Sequence, residues 1–191
     1  MRKPREDASG GTSSIVVMDA KQIARVLRRM AHEVLERHGG IEHLAIVGIH
    51  TRGWPLAERL AAIIEQTEGY RPPVGAVDVT FYRDDFRLRA KSPGEFTDLP
   101  FNVDDLNVLL VDDVFYTGRT VRAAIDTLMD FGRPKRIQLA VLIDRNHREL
   151  PLQADYVGME VTTEEHDSVR VRLKETDGVD QVLLIRSPEK P

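Results

Sequence analysis

The clearest pattern along the chain is a set of short apolar runs separated by stretches with helical spacing. Residues 44–49, 74–81, 108–111 and 136–143 are runs of strand length with little polar alternation. Such runs predict parallel strands buried on both faces. Ile23, Val26, Leu27, Met30, Ala31, Val34 and Leu35 recur at helical spacing, which predicts an amphipathic helix. Asp19 caps it with Gln22 as partner three residues on, and Gly39 and Gly40 end it. Val121, Ala124, Ile125 and Leu128 predict a second such helix, stopped by Gly132 and Pro134. Between the two, Pro55 suits the first turn of a helix after the run at 44–49. Residues 15–18 predict a short strand. Near the carboxyl end, Val169, Val171 and Leu173 alternate with Arg170 and Arg172, and Asp177-Gly178 predicts a hairpin turn returning through 182–185. Strands alternating with helices define an α/β chain built on a mostly parallel sheet.

Composition narrows the class. At 191 residues, 41 % apolar and 30 % charged, the chain suits one globular domain. Residues 1–14 are polar and read as a disordered extension, 15–186 as the domain, and 187–191 as a loose tail. Residues 86–100 carry Arg87, Arg89, Lys91, Pro93, Gly94 and Pro100 without an apolar period. A charged connection of that length is functional or disordered. Cysteine is absent, which excludes a disulfide framework, a thiolate zinc site and a cysteine nucleophile. No run of about 18 apolar residues predicts a membrane span. The basic amino terminus lacks an apolar core for a secretory signal, so a cytoplasmic location is expected. With a net charge of −4, nucleic-acid binding requires cations concentrated on one surface.

The candidate chemistry lies in residues 108–120, VLLVDDVFYTGRT. Asp112 and Asp113 follow a buried strand, at the end where open α/β sheets bind ligands. Thr117, Gly118, Arg119 and Thr120 then lead into a helix whose first N–H groups are unpaired and carry partial positive charge. Glycine allows close backbone approach, and the threonine hydroxyls add donors. Carboxylates beside a phosphate cradle suit a ligand with adjacent hydroxyls, or a bound metal ion, next to a phosphate. Ribose 5-phosphate has that shape. A second loop, His50-Thr51-Arg52-Gly53, ends the run at 44–49, where an arginine is placed to grip another phosphate.

This arrangement resembles the phosphoribosyl pyrophosphate (PRPP) motif of the type I phosphoribosyltransferases: apolar strand, two acids, then a T-G-x-T loop. The resemblance implies that family's fold, a twisted, mostly parallel sheet flanked by helices, with a small hood and with 86–100 as a flexible active-site loop. IVGIHTRGWPLA, VTFYRDD, LAVLIDRNHRELPLQADYVG and the carboxyl-terminal hairpin further resemble one subgroup. Its members are uracil phosphoribosyltransferases that also regulate pyrimidine operons by attenuation. Purine salvage enzymes carry an aspartate just before the T-G of the loop, where this chain has Tyr116. Uracil has no imidazole nitrogen for such an aspartate to meet.

The resemblance implies transfer from PRPP to uracil, giving UMP and pyrophosphate. Asp112 and Asp113 would receive the ribose hydroxyls and, through PRPP and water, Mg²⁺. Thr117 to Thr120 would hold the 5-phosphate, and Thr51, Arg52 and Gly53 the pyrophosphate. Tyr116, Tyr156 and Val157 would lie at the nucleobase, with Arg83 also on the substrate. Asp112, Asp113 and Arg52 are the expected catalytic residues. The resemblance implies a second activity, binding of pyrimidine-operon leader RNA with UMP or UTP as co-effector, by a homodimer or larger homo-oligomer.

Candidate RNA contacts are Arg28, Arg29 and His32 on the first helix, with His147 and Arg148 after the later strand. From the residues alone, the helix charges read most simply as a solvated face. The chain departs from the subgroup here. Asn146 replaces a glycine, Gln153 stands where a basic residue is common, and Met159-Glu160-Val161-Thr162 replaces lysine, asparagine, an aliphatic residue and proline. Fewer cations lower phosphate affinity. An enzyme without RNA regulation and an RNA-binding UMP sensor with little catalysis therefore stand beside the bifunctional reading. A two-aspartate receiver domain has no place for the T-G-R-T loop.

Overall fold

In a computed structural model, residues 13–79 and 97–187 are described. Arg83 and most of the expected loop at 86–100 lie outside them, as do most of the expected extension and all but Ser187 of the tail. The described chain runs β1 (Ser13–Asp19), α1 (Ala20–His38), β2 (Leu44–Ile49), α2 (Gly53–Glu68), β3 (Val74–Val77), β4 (Asn107–Phe115), α3 (Arg119–Phe131), β5 (Arg136–Asp144), β6 (Tyr156–Glu160), β7 (Ser168–Arg172), α4 (Lys174–Asp177) and β8 (Gln181–Arg186).

The central sheet is parallel and five-stranded, in the order β3-β2-β4-β5-β6. Its inner strands β2, β4 and β5 are buried over most of their length because helices cover both faces. Ile23, Leu27, Met30 and Val34 of α1, with Leu56, Leu60 and Ile64 of α2, pack with Leu44, Ile46, Leu109 and Leu142. Val121, Ala124 and Leu128 of α3 pack with Val47, Val108, Leu110 and Val141. The period of two along each strand thus feeds two apolar layers. Each large side chain buried this way contributes about 1.5–3 kcal/mol. The predicted cap of α1 is present: Asp19 accepts from the Gln22 amide and the Gln22 side chain from the Asp19 amide, both at 2.8 Å. Among the described residues, no helix is long and apolar enough to cross a membrane.

The hood is a three-stranded antiparallel sheet, β1-β8-β7, in which the first described strand pairs with the last. Met18, Val171, Leu173 and Val182 join its apolar side to the α1 and α2 layer.

Four expectations on element bounds are corrected, the first being that the strand expected over 74–81 ends at Val77. Ser13 and Ser14 belong to β1, because pairing with Ile185 and Arg186 extends the strand past its apolar core. The turn after β7 is not a two-residue hairpin but the helical turn α4, closed by Gly178 at φ 74°. Asp112 and Asp113 lie within β4 rather than after it, since pairing with β5 continues to Phe115.

Candidate active site

The chain leaves β2 toward β3 on one side and β4 toward β5 on the other. Their carboxyl ends therefore flank the point where the winding direction changes, the usual ligand crevice of an open α/β sheet. A cavity of about 760 Å³ opens there. It is lined by Thr51 and Arg52 after β2, by Asp112, Asp113 and Tyr116, by Thr117 through Thr120, by Arg145, and by Val169 of the hood. Both loops singled out in the sequence thus reach one space.

Gly53 lies directly against the backbone of β4, where a Cβ would collide with the Val111 carbonyl oxygen. Gly48 is equally crowded, since a Cβ there would meet the Gly53 carbonyl at 2.5 Å. Two glycines therefore let the Thr51–Arg52 loop press against the strand that carries the acids. The peptide bond between His50 and Thr51 is cis.

Asp112 is buried, and its Oδ1 accepts from the Asp113 amide at 2.8 Å, while Asp113 Oδ1 accepts from the Val114 amide at 3.0 Å. Burial pushes the Asp113 carboxyl above its ordinary range, against the opposing effects of Asp112, the Arg52 charge and backbone amides. A desolvated acid pair of this kind suits hydroxyl donors or a cation held by another ligand. Among the described residues no group of three or more His, Cys, Asp or Glu side chains could hold a metal by itself.

The segment expected to cradle a phosphate forms a turn into α3. Gly118, at φ 91°, precedes α3 and has no side chain to cap it. The Thr117 hydroxyl accepts from the Arg119 amide at 3.4 Å, and Arg119 pairs with Glu149 at 2.9 Å. Gly118, Arg119, Thr120 and Val121, at the start of α3, line the cavity.

Several predicted contacts fall elsewhere. The Tyr156 side chain is fully buried among the α1-side core residues, where its hydroxyl accepts from Gln138 Nε2 at 3.3 Å and Arg37 lies over the ring at 4.9 Å. Tyr156 opens β6, paired with Ala140, four residues short of β5's carboxyl end at Asp144. It therefore cannot reach a base at the crevice. Val157 does not line the cavity either, and its carbonyl accepts from Arg29 at 3.0 Å.

The basic set divides as well. Arg28, His32 and Arg148 are exposed. Arg29 is committed to Glu33 at 2.7 Å and to the Val157 and Gly158 carbonyls, so it ties α1 to β6 instead of standing free for RNA. His147 is half-buried; its Nε2 donates to the Thr163 carbonyl at 2.8 Å, and its ring meets Tyr116 edge-on at 5.6 Å. Asn146 has φ 57°, a conformation that asparagine tolerates better than most non-glycine residues. Its Nδ2 donates to Glu160 Oε2 at 3.2 Å, so two of the chain's departures from the subgroup touch each other.

Arg145 was not singled out by the sequence, yet it lines the cavity. Its guanidinium lies 3.9 Å from the Tyr116 ring centre, while Nε donates to Thr163 Oγ1 at 3.1 Å and Nη2 to the Asp167 carbonyl at 2.9 Å. Burial pulls its pKa down, opposed by Tyr116 and Asp167. Its position at the carboxyl end of β5 was the available signal, the same rule that singled out Asp112.

Sheet order, hood and crevice together define a type I phosphoribosyltransferase fold. The sequence model of the phosphoribosyl transferase domain matches residues 17–176. A hypoxanthine phosphoribosyltransferase of Trypanosoma cruzi superposes with a TM-score of 0.72 at 16 % identity, covering 91 % of this chain and 95 % of that one. One from Staphylococcus aureus gives 0.66 at 18 %, covering 92 % and 93 %. At that distance the likeness concerns the fold alone. The bifunctional protein PyrR of Chloroflexus aurantiacus is 56 % identical over 171 residues, 89 % of this chain and 94 % of its own. That of Deinococcus radiodurans is 55 % identical over 169 residues, covering 88 % and 92 %. The chain belongs to the phosphoribosyl transferase domain family and, within it, to the PyrR family.

Proposed function

We propose that the protein is a cytoplasmic uracil phosphoribosyltransferase that converts uracil and PRPP to UMP and pyrophosphate. One observation carries this reading: an acid pair with Asp112 buried and Asp113 half-buried, a helix start suited to phosphate and an arginine loop share a single cavity. Each has the chemistry that one part of PRPP requires. The amides and hydroxyls of Thr117 to Thr120 hold the 5-phosphate. Asp112 and Asp113 accept hydrogen bonds from the ribose hydroxyls. Thr51, Arg52 and Gly53 take the pyrophosphate. Tyr116, stacked under Arg145, lines the remaining wall, where the base lies. As the C1–O bond to pyrophosphate breaks and its electron pair leaves with the pyrophosphate, uracil N1 bonds to C1 and gives up its proton to solvent, and the ribose passes through a cation-like state. The protein's work is positioning and charge stabilisation, and a protein nucleophile is not needed.

Mg²⁺ fits this site as an ion carried by PRPP and water, because two adjacent desolvated carboxylates favour a cation but do not supply a full ligand set. Bound in that way it would offset charge on the pyrophosphate. The test is UMP formation from labelled uracil and PRPP, with guanine and hypoxanthine as controls. Transfer to a purine but not to uracil overturns the assignment.

The regulatory reading rests on the relatives, each named a bifunctional protein. It takes Arg28, His32 and Arg148 as the contacts to a pyrimidine-operon leader RNA, with UMP or UTP in the cavity as co-effector. A homodimer would bring two such sets of cations together.

A further inference from the structure

We propose that Asp177 is a positioning residue for the reaction: it holds the Arg52 guanidinium side-on, so that the remaining N–H groups meet pyrophosphate. The inference rests on the reading of the cavity as a PRPP site.

The contact joins two distant parts of the chain. Arg52 precedes α2 in the loop at the end of β2, and Asp177 ends α4 in the hood. Arg52 Nη2 donates to Asp177 Oδ1 at 3.0 Å and Nε to Oδ2 at 3.3 Å. That fork uses one edge of a planar group with five N–H donors, and leaves the Nη1 side available. Arg52 also lines the cavity, and its charge acts on Asp113. The guanidinium thus stands between a hood carboxylate and the acid pair.

The carboxylate is itself held in place. Asp177 Oδ2 accepts from the Leu173 amide at 3.0 Å and from the Thr176 hydroxyl at 2.7 Å. With Arg52, these donors keep its carboxyl well below the usual range, so it is ionised at any working pH. The turn is braced on both sides. Arg59 of α2 reaches Glu175 at 2.6 Å and Asp180 at 2.7 Å. A fixed anion on one edge of an arginine removes the rotamer freedom that phosphate binding would otherwise have to remove. It also supplies a reason for the hood to be joined to the transferase core at this point.

The alternative is that Asp177 competes with pyrophosphate for Arg52. The two roles predict opposite signs. If Asp177 orients Arg52, Asp177→Asn raises the apparent KM for PRPP and the inhibition constant of pyrophosphate by about tenfold each. The KM for uracil stays within about twofold, and Asp177→Glu recovers part of the loss. Glu175→Gln loosens the same turn without touching Arg52, and leaves the PRPP constants within about twofold of wild type. Tighter PRPP or pyrophosphate binding in Asp177→Asn overturns the proposal. So does an equal weakening in Glu175→Gln, or a loss of thermal stability with unchanged PRPP constants.

Equilibrium dialysis of labelled pyrophosphate with Mg²⁺ separates this proposal from the enzymatic reading. Wild type that binds pyrophosphate but forms no UMP removes the enzymatic assignment while still comparing Asp177→Asn with wild type. Equal pyrophosphate binding by the two proteins overturns the role of Asp177.

Discussion

Gly53 presses against the carbonyl of Val111 so closely that no side chain fits between them. This contact sets the distance between the arginine loop after β2 and the acids on β4. Gly53→Ala forces one backbone to move, and a shift of about 1 Å in reacting geometry can cost about 100-fold in rate. Steady-state kinetics of UMP formation should therefore show kcat/KM for PRPP reduced by about that factor, with circular dichroism retained. Wild-type kinetics would mean that the crowding relaxes without disturbing the loop.

Asp112→Asn combined with Asp113→Asn should abolish transfer while leaving the thermal midpoint little changed. The substitution keeps the shape of both side chains and removes only charge that is costly to bury. Turnover near wild type in a folded double variant would remove these residues from catalysis.

Arg52→Ala should raise the apparent KM for PRPP and weaken inhibition by pyrophosphate. A guanidinium contact to phosphate is worth about 1.5–3 kcal/mol, or roughly 10- to 150-fold. Unchanged PRPP constants would leave Arg52 only its ion pair to the hood.

Tyr156 is expected to act through packing. Tyr156→Ala should cost about 3–5 kcal/mol of stability, as for other buried aromatic truncations. Tyr156→Phe removes the hydroxyl that accepts from Gln138 and should retain the wild-type KM for uracil. A selective change in uracil affinity would return Tyr156 to the base.

RNA binding, where it occurs, should depend on the exposed cations. Arg28→Ala and Arg148→Ala are expected to weaken leader RNA binding and each to lower the salt slope by about one unit. Arg29→Ala should instead reduce thermal stability, because Arg29 joins α1 to the β6 backbone. Filter binding at two salt concentrations, with and without UMP, separates these effects. Equal RNA losses for Arg29→Ala and Arg148→Ala would contradict the division.

The sequence alone determined the features that arise from local order. Apolar runs, the Asp19 cap and the passage from strand through acids to a T-G-R-T helix start are set by neighbours in the chain. They were enough to locate both loops that line the cavity, because such loops lie beside strand ends by construction. Relations across the sheet were decided only by tertiary structure. Tyr156 and Arg145 both belong to the β5–β6 region, yet burial took one into the core and the other into the cavity. Arg29 carries the same charge as Arg28 but pairs with Glu33 on its own helix and meets two carbonyls 128 and 129 residues away. Asp177 is part of a turn in sequence and a partner of Arg52 in space, at a separation of 125 residues. Local periodicity encodes which face of an element is apolar. Which distant polar group a side chain meets depends on how those elements pack together.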